Sequence, residues 1–197
     1  MSLLLESIRV DRGRFFNLPF HERRLNASRR ELFGAAEPVD LSASLSIPHR
    51  CRAGLFKCRV LCDDRIRRVE FEAYTRRAVR SLKLVHDDAI SYSHKTEDKS
   101  AFARLLELRG ECDDILIVKK GLLTDTSFSN IALFDGSRWH TPASPLLKGT
   151  KRAQLISEGV LVEKDLTTED LHRFTSVSLI NAMLDLGETV IPCDTIV

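Results

Sequence analysis

The sequence predicts a mixed α/β fold in two lobes. The first 74 residues contain strand-like runs, with apolar residues at every second position, around one helical pattern. A basic stretch, TRRAVR at residues 75–80, then interrupts this pattern. Beyond it, short apolar runs alternate more closely with helical segments, which is typical of a separate α/β unit. We therefore place a small lobe at residues 1–80 and a larger lobe at residues 81–197.

The small lobe is expected to contain one helix at residues 21–33, which ends at Gly34 because glycine adopts the left-handed conformation of a helix end. Residues 37–48 are ambiguous, although DLSASLS could form a short helix. The strands are expected at residues 3–10, 14–16, 53–62 and 65–74.

The larger lobe is expected to alternate strands with helices, and Gly149-Thr150 opens the helix near its centre. Strands are expected at residues 82–85, 114–119, 130–134, 138–141, 160–163 and 176–181. Helices are expected at residues 99–109, 151–158 and 168–171. We find neither an internal repeat nor a low-complexity tract.

Charge and hydropathy exclude several classes of function. The net charge is +2, which is too small to favour nucleic acid or an anionic membrane as the main partner. No apolar run approaches the roughly 20 residues of a membrane span. The N-terminal run MSLLLESIRV is too short for a signal peptide and carries a charge at Glu6. A cytoplasmic location is therefore the expectation.

The five cysteines form an odd set without close pairing. Cys58 and Cys62 share one face of a predicted strand, but no histidine or second cysteine pair completes a zinc site. We therefore expect reduced, mostly buried thiols and no metal.

Two segments together indicate cofactor chemistry. HKTEDKSAF puts Lys95 in a polar connection before a helix, and LLTDTSFSN puts Asp125 after the apolar run at residues 115–118, followed by Asn130. A lysine that can lose its charge and an acid that can keep a ring nitrogen protonated are what an electron-sink cofactor requires. The alternative for Lys95 alone is an ordinary solvated charge.

Two further segments are candidate phosphate-binding elements, and a third, which ends at Asn181, is a candidate for the rim of a site. Gly149-Thr150 opens a helix, whose free N–H groups favour an anion. The run HERRL at residues 21–25 places two arginines in different directions on a helix, so at most one faces the site. Asn181 ends an apolar strand. Each has an alternative, namely an ordinary helix cap, surface charge and a turn-forming asparagine.

Taken in order, these segments resemble the class IV pyridoxal-phosphate enzymes, which include branched-chain and D-amino-acid aminotransferases and aminodeoxychorismate lyase. The most specific match is TDTSFSNIALFDGSRWHTP at residues 124–142, followed by LLKGTKRAQLI at residues 146–156. HERRL matches the family's arginine segment, and INAM at residues 180–183 is similar to the lyase's late segment. The resemblance implies a two-lobed pyridoxal 5'-phosphate (PLP) fold of type IV, here with a shortened N-terminal lobe.

The resemblance also implies a role for each matching residue. Lys95, in the larger lobe, would form an imine with PLP and then shuttle protons. Asp125 stands where the family normally has glutamate and would pair with the pyridine nitrogen, while Asn130 would brace the loop that carries Asp125. The phosphate would be held by Arg24, Gly149, Thr150 and the backbone of Asn181 and Ala182.

Within this family we favour lyase chemistry on aminodeoxychorismate, giving 4-aminobenzoate and pyruvate, because Asn181-Ala182-Met183 is more similar to the lyase than to the transaminases. The alternatives are an amino-acid transaminase and a non-catalytic family member. The resemblance implies a small amino-acid-like substrate and a homodimer. The candidates for binding a substrate carboxylate, chosen by charge and lobe alone, are Arg50, Arg52, Lys57 and Arg59.

Overall fold

The structure, a computed structural model, describes residues 2–197 and has the predicted mixed α/β architecture. It divides into a first unit, which extends to residue 76 and includes residues 94–98, and a second unit of residues 77–93 and 99–197. The division falls close to the predicted boundary at residue 80. Lys95, however, was predicted in the larger lobe and belongs to the first unit, because its segment hydrogen-bonds to a strand of that unit.

The first unit is an antiparallel sheet with helices against one face. The helices are α1 (Leu18–Phe33) and α2 (Leu41–Ser44), and His49–Cys51 form a 3-10 turn. The strands are β1 (Leu4–Asp11), β2 (Arg14–Phe15), β3 (Leu55–Cys62) and β4 (Ile66–Ala73), in the spatial order β2-β1-β3-β4.

Helix α1 covers the face of β1 and β3 that carries alternating apolar residues. Leu4 and Ile8 of β1 pack in one cluster with Leu25 of α1. The helix begins before the predicted residue 21, because Pro19 lies in the first turn, where a missing N–H breaks no helical hydrogen bond. It ends as predicted at Gly34, whose φ of 63° is the left-handed conformation of a C-terminal cap.

The second unit is built on a mixed sheet. Its helices are α3 (Ser100–Leu106) and α4 (Thr150–Ser157), and its 3-10 turns are Glu107–Arg109, Glu169–Arg173 and Cys193–Thr195. Its strands are β5 (Leu82–His86), β6 (Asp114–Lys119), β7 (Leu122–Thr126), β8 (Asn130–Phe134), β9 (Trp139–Pro142), β10 (Leu161–Lys164), β11 (Ser176–Ile180) and β12 (Val190–Pro192). The spatial order is β10-β9-β8-β7-β6-β5, and β11 pairs with β8 and β12.

Strand β6 is apolar on both faces, as expected for a strand covered on both sides. Its alternate residues pack in two different clusters: Ile115 and Ile117 lie against α3, whereas Leu116 and Val118 face the core formed with β8 and β11. This double burial explains the unbroken apolar run in the sequence.

Strand β7 was not predicted. Lys120 and Gly121 have φ values of 52° and 78°, so they form the two-residue turn that connects β6 to an antiparallel partner. The consequence matters for the site, because Asp125 lies on a strand of the sheet and not on a loop.

No helix within residues 2–197 is long and apolar enough to cross a lipid bilayer. The five cysteines are thiols, and all except Cys112 are buried. Burial raises the pKa of the Cys58 thiol to about 12, which makes it inert at neutral pH.

Candidate active site

Lys95 lies on a short segment of the first unit that runs alongside β1. The Leu5 N–H donates to the Lys95 carbonyl at 2.8 Å, and the Glu97 N–H donates to the Leu3 carbonyl at 2.9 Å. The Glu97 carboxylate also lies 3.5 Å from the guanidinium of Arg59 on β3. These contacts fix the backbone of Lys95 to the sheet, so its amine starts from a defined position.

Glu6 lies on the face of β1 that packs against α1, between the apolar residues Leu4 and Ile8. It is only 2% exposed. Its carboxylate accepts hydrogen bonds from Arg24, at 2.9 Å from Nε and 2.5 Å from Nη2, and lies 2.6 Å from Nδ1 of His21. His21 and Arg24 are one turn apart on α1, which places both on the side facing β1.

The charge states of this cluster follow from its contacts. Burial alone would raise the pKa of Glu6, but Arg24 and His21 outweigh it and lower the pKa to about 2. Burial lowers the pKa of His21 despite the neighbouring carboxylate. Glu6 is therefore ionised and can only accept, so a neutral His21 must donate from Nδ1.

The amine of Lys95 is poised to lose its proton near neutral pH. Burial, followed by the positive charge of Arg24, lowers its pKa to about 8, while Glu6 acts in the opposite direction. A lysine with this pKa is partly neutral at physiological pH, and only the neutral amine can attack a carbonyl or accept a proton.

Asp125 is the central residue of the predicted group in the second unit. Its carboxylate is buried; Oδ1 accepts a hydrogen bond from Nδ2 of Asn130 at 2.8 Å, and Oδ2 accepts one from the Leu147 N–H at 2.9 Å. Burial nevertheless raises the pKa of Asp125 to about 7. A cation placed beside this carboxylate would favour its ionised form.

Asn130 lies opposite Asp125 on β8 and connects it to the loop before α4. Its Nδ2 donates both to Asp125 and to the Leu147 carbonyl, each at 2.8 Å. The predicted bracing role of Asn130 thus has a definite geometry. It braces Asp125 through two strands and the loop at residue 147.

Gly149 is the residue before α4, and the side chain of Asn130 passes directly over it. A Cβ at Gly149 would come within 1.9 Å of Oδ1 of Asn130, which is impossible without movement. The Gly149 φ of −67° is open to any residue, so space and not backbone strain requires glycine. Thr150 follows as the first, buried residue of α4.

The side chain of Asn181 forms a turn after β11, which was the alternative considered for it. Its Oδ1 accepts hydrogen bonds from the N–H groups of Met183 and Leu184, and its Nδ2 donates to the Phe128 carbonyl at 3.3 Å. Its own N–H donates to the Leu184 carbonyl. Of the two predicted backbone donors of this turn, the N–H of Asn181 is therefore already used within the turn.

The structure gathers the predicted residues into one group in each unit. Arg24 and Lys95 belong to the first unit, where they share a charge cluster. The second unit holds the others: Asp125, Asn130, Gly149, Thr150, Asn181 and Ala182. Sequence reasoning missed the role of Glu6 and gave none to His21. The signal for Glu6 was available, because a carboxylate at an inward position of an apolar strand needs a partner.

The candidates for a substrate carboxylate differ in their surroundings. Arg50 and Arg52 are exposed. Lys57 and Arg59 of β3 form ion pairs with glutamates of β4, at 2.9 Å from Glu72 for Lys57 and at 3.2 Å from Glu70 for Arg59. Residues 2–197 contain no group of three or more histidine, cysteine or acidic side chains arranged to hold a metal ion.

Comparison with known proteins identifies a family and a fold. The family model for amino-transferase class IV matches residues 65–188. An uncharacterized protein of Haemophilus influenzae is 34% identical over 182 residues, which are 91% of this chain and 97% of that protein.

Solved structures extend the comparison to three dimensions. The crystal structure of a candidate 4-amino-4-deoxychorismate lyase from Haemophilus somnus has a TM-score of 0.86 at 30% identity and covers 94% of this chain and 98% of that one. A hypothetical aminotransferase from Mycobacterium tuberculosis, in a PLP-bound form, has a TM-score of 0.77 at 17% identity, covering 99% and 81% of the two chains. The predicted type IV fold is confirmed by these similarities and by that to a fold IV transaminase.

Proposed function

The chain belongs to the amino-transferase class IV family, and from this premise we propose that it is a PLP enzyme that converts 4-amino-4-deoxychorismate to 4-aminobenzoate and pyruvate. The observation that carries the proposal is Lys95, whose amine has a pKa of about 8 next to the positive charge of Arg24. The lyase assignment is supported by the 30% identity to the candidate lyase from Haemophilus somnus and by the Asn181-Ala182-Met183 segment.

The residues present fit the cofactor. Lys95 supplies an amine that is partly neutral at physiological pH, and Arg24 supplies a guanidinium for a phosphate. Asp125 supplies a buried acceptor for the ring N–H. Gly149 leaves no side chain between Asn130 and the start of α4, where N–H groups favour an anion. When bound, PLP supplies an aldehyde for covalent attachment and an electron-poor ring that stores an electron pair.

Asp125 and the groups that hold it have the first role in the proposed reaction. Asp125, one methylene shorter than glutamate, would hold the ring nitrogen of PLP and favour its protonated, electron-accepting state. A cationic ring nitrogen beside Asp125 would lower the pKa of the carboxyl from its value of about 7 and keep it ionised. Asn130 and the Leu147 N–H hold the carboxylate in place while this charge develops.

Lys95 moves the protons. As a neutral amine it removes the proton from the ring carbon that bears the substrate's amino group, and the enolpyruvate leaves from the adjacent carbon with the C–O bonding electrons. The electrons of the C–H bond complete the aromatic ring of 4-aminobenzoate, and the ammonium of Lys95 returns its proton to the enolpyruvate to give pyruvate. The atoms of the substrate equal those of the two products, so no co-reactant is required.

The first test is covalent cofactor binding. Addition of PLP should produce a visible absorbance band, and borohydride should fix the label on Lys95. Lys95→Ala should lose both, whereas Lys83→Ala, a lysine on β5 of the second unit, should retain both. A wild-type protein that remains colourless and unlabelled would refute PLP binding.

The second test separates the lyase from the transaminase. A lyase releases 4-aminobenzoate and pyruvate in equal amounts from aminodeoxychorismate and leaves the cofactor as the aldehyde after each turnover. A transaminase instead converts the cofactor to its amine form with an amino acid alone. Amine formation across a panel of branched-chain and D-amino acids, without release of 4-aminobenzoate, would favour the transaminase.

We also propose that the enzyme is a homodimer, as the family resemblance implies. Sedimentation at working concentration should give twice the monomer mass of 22.3 kDa. A monomer that is fully active would contradict this part of the proposal.

A further inference from the structure

We propose that Glu6, held by His21, is a positioning residue of the cofactor site: it aims the Arg24 guanidinium at a phosphate group and offsets the Arg24 charge beside the Lys95 amine. The inference rests on the proposed function, because the phosphate in question is that of PLP. It goes beyond that function by giving the site a buried anion that acts through Arg24 and Lys95.

The geometry of the Glu6–Arg24 contact fixes the direction of the guanidinium. Nε and Nη2 of Arg24 lie 2.9 Å and 2.5 Å from the two carboxylate oxygens of Glu6, which is the bidentate arrangement. Since a guanidinium is planar and rigid, holding two of its nitrogens also sets the orientation of the third. An unpaired arginine side chain would sample several rotamers and lose entropy on binding a phosphate.

His21 in turn holds Glu6. Its Nδ1 lies 2.6 Å from Oε2 of Glu6, the oxygen that also accepts from Nη2 of Arg24, and its side chain is fully buried. Because the His21 ring is buried, Glu6 cannot move away from Arg24 without also breaking its contact with Nδ1 of His21. The three side chains therefore form one rigid unit.

The same cluster sets the charge around Lys95. The charged or titratable groups acting on the amine are Arg24 and His21 on α1, Glu6 on β1 and Lys57 on β3. Two of these are permanent cations, and Glu6 is the anion that opposes them. The backbone hydrogen bond from Leu5 to Lys95 holds the segment that carries Lys95 beside the strand that carries Glu6. Without Glu6, the cations would act on Lys95 unopposed.

Two substitutions separate the geometric role from the electrostatic one. Glu6→Gln removes the charge but retains the length of the side chain. Glu6→Asp retains the charge but withdraws the carboxylate by one methylene, so that it no longer reaches both nitrogens of Arg24. Glu37→Gln, at an exposed position of the same unit, is the matched control for loss of one negative charge.

The first measurement uses the protein before cofactor is added. The rate at which a small acylating reagent modifies Lys95 is followed against pH by mass spectrometry. In Glu6→Gln the half-maximal pH should fall by roughly one pH unit relative to wild type. In Glu6→Asp and Glu37→Gln it should stay at the wild-type value. A role that is only structural would not move this profile.

The second measurement compares PLP with pyridoxal, which lacks the phosphate. The ratio of the two dissociation constants cancels changes in Lys95 reactivity and isolates recognition of the phosphate. In both Glu6 variants the preference for PLP over pyridoxal should fall about tenfold, which is the typical contribution of a well-oriented charge-assisted contact. Glu37→Gln should retain the wild-type ratio.

The outcomes are distinguishable. If wild type binds PLP but the Glu6→Gln labelling profile and the affinity ratio are unchanged, the inference is wrong and the proposed function stands. If wild type does not bind PLP, the proposed function and the phosphate part of the inference fail together, while the labelling profile still decides the electrostatic part. If Glu6→Gln does not fold, Glu6→Asp decides: an unchanged affinity ratio in that variant would overturn the positioning role.

Discussion

Gly149→Ala should destabilise the protein, because the new methyl group would displace the amide of Asn130 from Asp125. The added Cβ would lie 1.9 Å from Oδ1 of Asn130, far inside the 3.0 Å that such contacts keep. The alternative of moving the start of α4 would disturb Thr150, which is buried. The amide of Asn130 is therefore the group that has to give way.

The size of the effect follows from the bonds that the amide makes. One nitrogen, Nδ2 of Asn130, donates to both Asp125 and the Leu147 carbonyl at 2.8 Å, so a shift of the side chain weakens both bonds together. Two buried acceptors then lose a donor, one of them a carboxylate. We expect a loss of roughly 2–4 kcal/mol in the free energy of unfolding.

Urea denaturation followed by the fluorescence of Trp139, the single tryptophan, measures this loss within the same unit. Gly159→Ala, in the same unit, is the control, since its Cβ would meet nothing within 4 Å and, at a φ of 71°, costs only the left-handed backbone penalty of about 1–2 kcal/mol. In an Asn130→Ala background, the cost of Gly149→Ala should fall below about 1 kcal/mol. An equal cost in both backgrounds would refute the steric argument.

Three further outcomes are expected. The folded-state pKa of Asp125, about 7, exceeds its unfolded value, so its contribution to stability is complete below the unfolded pKa and is lost as pH rises through 7. As pH rises from about 4 to 7, the free energy of unfolding of the wild type should therefore fall by roughly 1.4 kcal/mol per pH unit relative to that of Asp125→Asn. A difference between the two free energies that does not change with pH would contradict the raised pKa. Arg29→Met should lower the free energy of unfolding, measured by urea denaturation, by roughly 3 kcal/mol, because the buried guanidinium donates hydrogen bonds to the carbonyls of residues 37, 63 and 64. Arg30→Met, at an exposed position, is the control. An equal loss in the two variants would refute this reasoning. The folded-state pKa of Lys95, about 8, lies below its unfolded value, so the wild type loses stability as pH falls from about 10 to 8. Lys95→Met should therefore become more stable relative to wild type over this range, and a difference in the free energy of unfolding that does not change with pH would contradict this.

The sequence was informative wherever local pattern decides the structure. The apolar run of β6, the glycine that ends α1 and the Gly149-Thr150 start of α4 all lie where they were predicted. The family resemblance gave Asn130 a bracing role next to Asp125, and the structure has a hydrogen bond between these two side chains.

Two of the remaining errors have a common physical cause, which is pairing between distant parts of the chain. Residues 94–98 carry no strand pattern, yet backbone hydrogen bonds attach them to β1, and nothing within the segment encodes that partner. Glu6 could be recognised as a buried acid, but its partners on α1 depend on how the helix packs. Strand β7 was missed for a local reason, because a lysine with positive φ precedes Gly121 in the turn.

The attachment of residues 94–98 to β1 also determines how Lys95 would behave in a fragment of the chain that lacks β1. A fragment starting at residue 77 would contain Lys95 but neither Glu6 nor Arg24, and its amine would behave like that of any lysine in water. The lowered pKa of the Lys95 amine therefore depends on the path of the chain. Residues 77–93 belong to the second unit, and residues 94–98 belong to the first unit again. Mixing a fragment of residues 1–76 with one of residues 77–197 would restore the lowered pKa of Lys95 only if residues 94–98 pair again with β1.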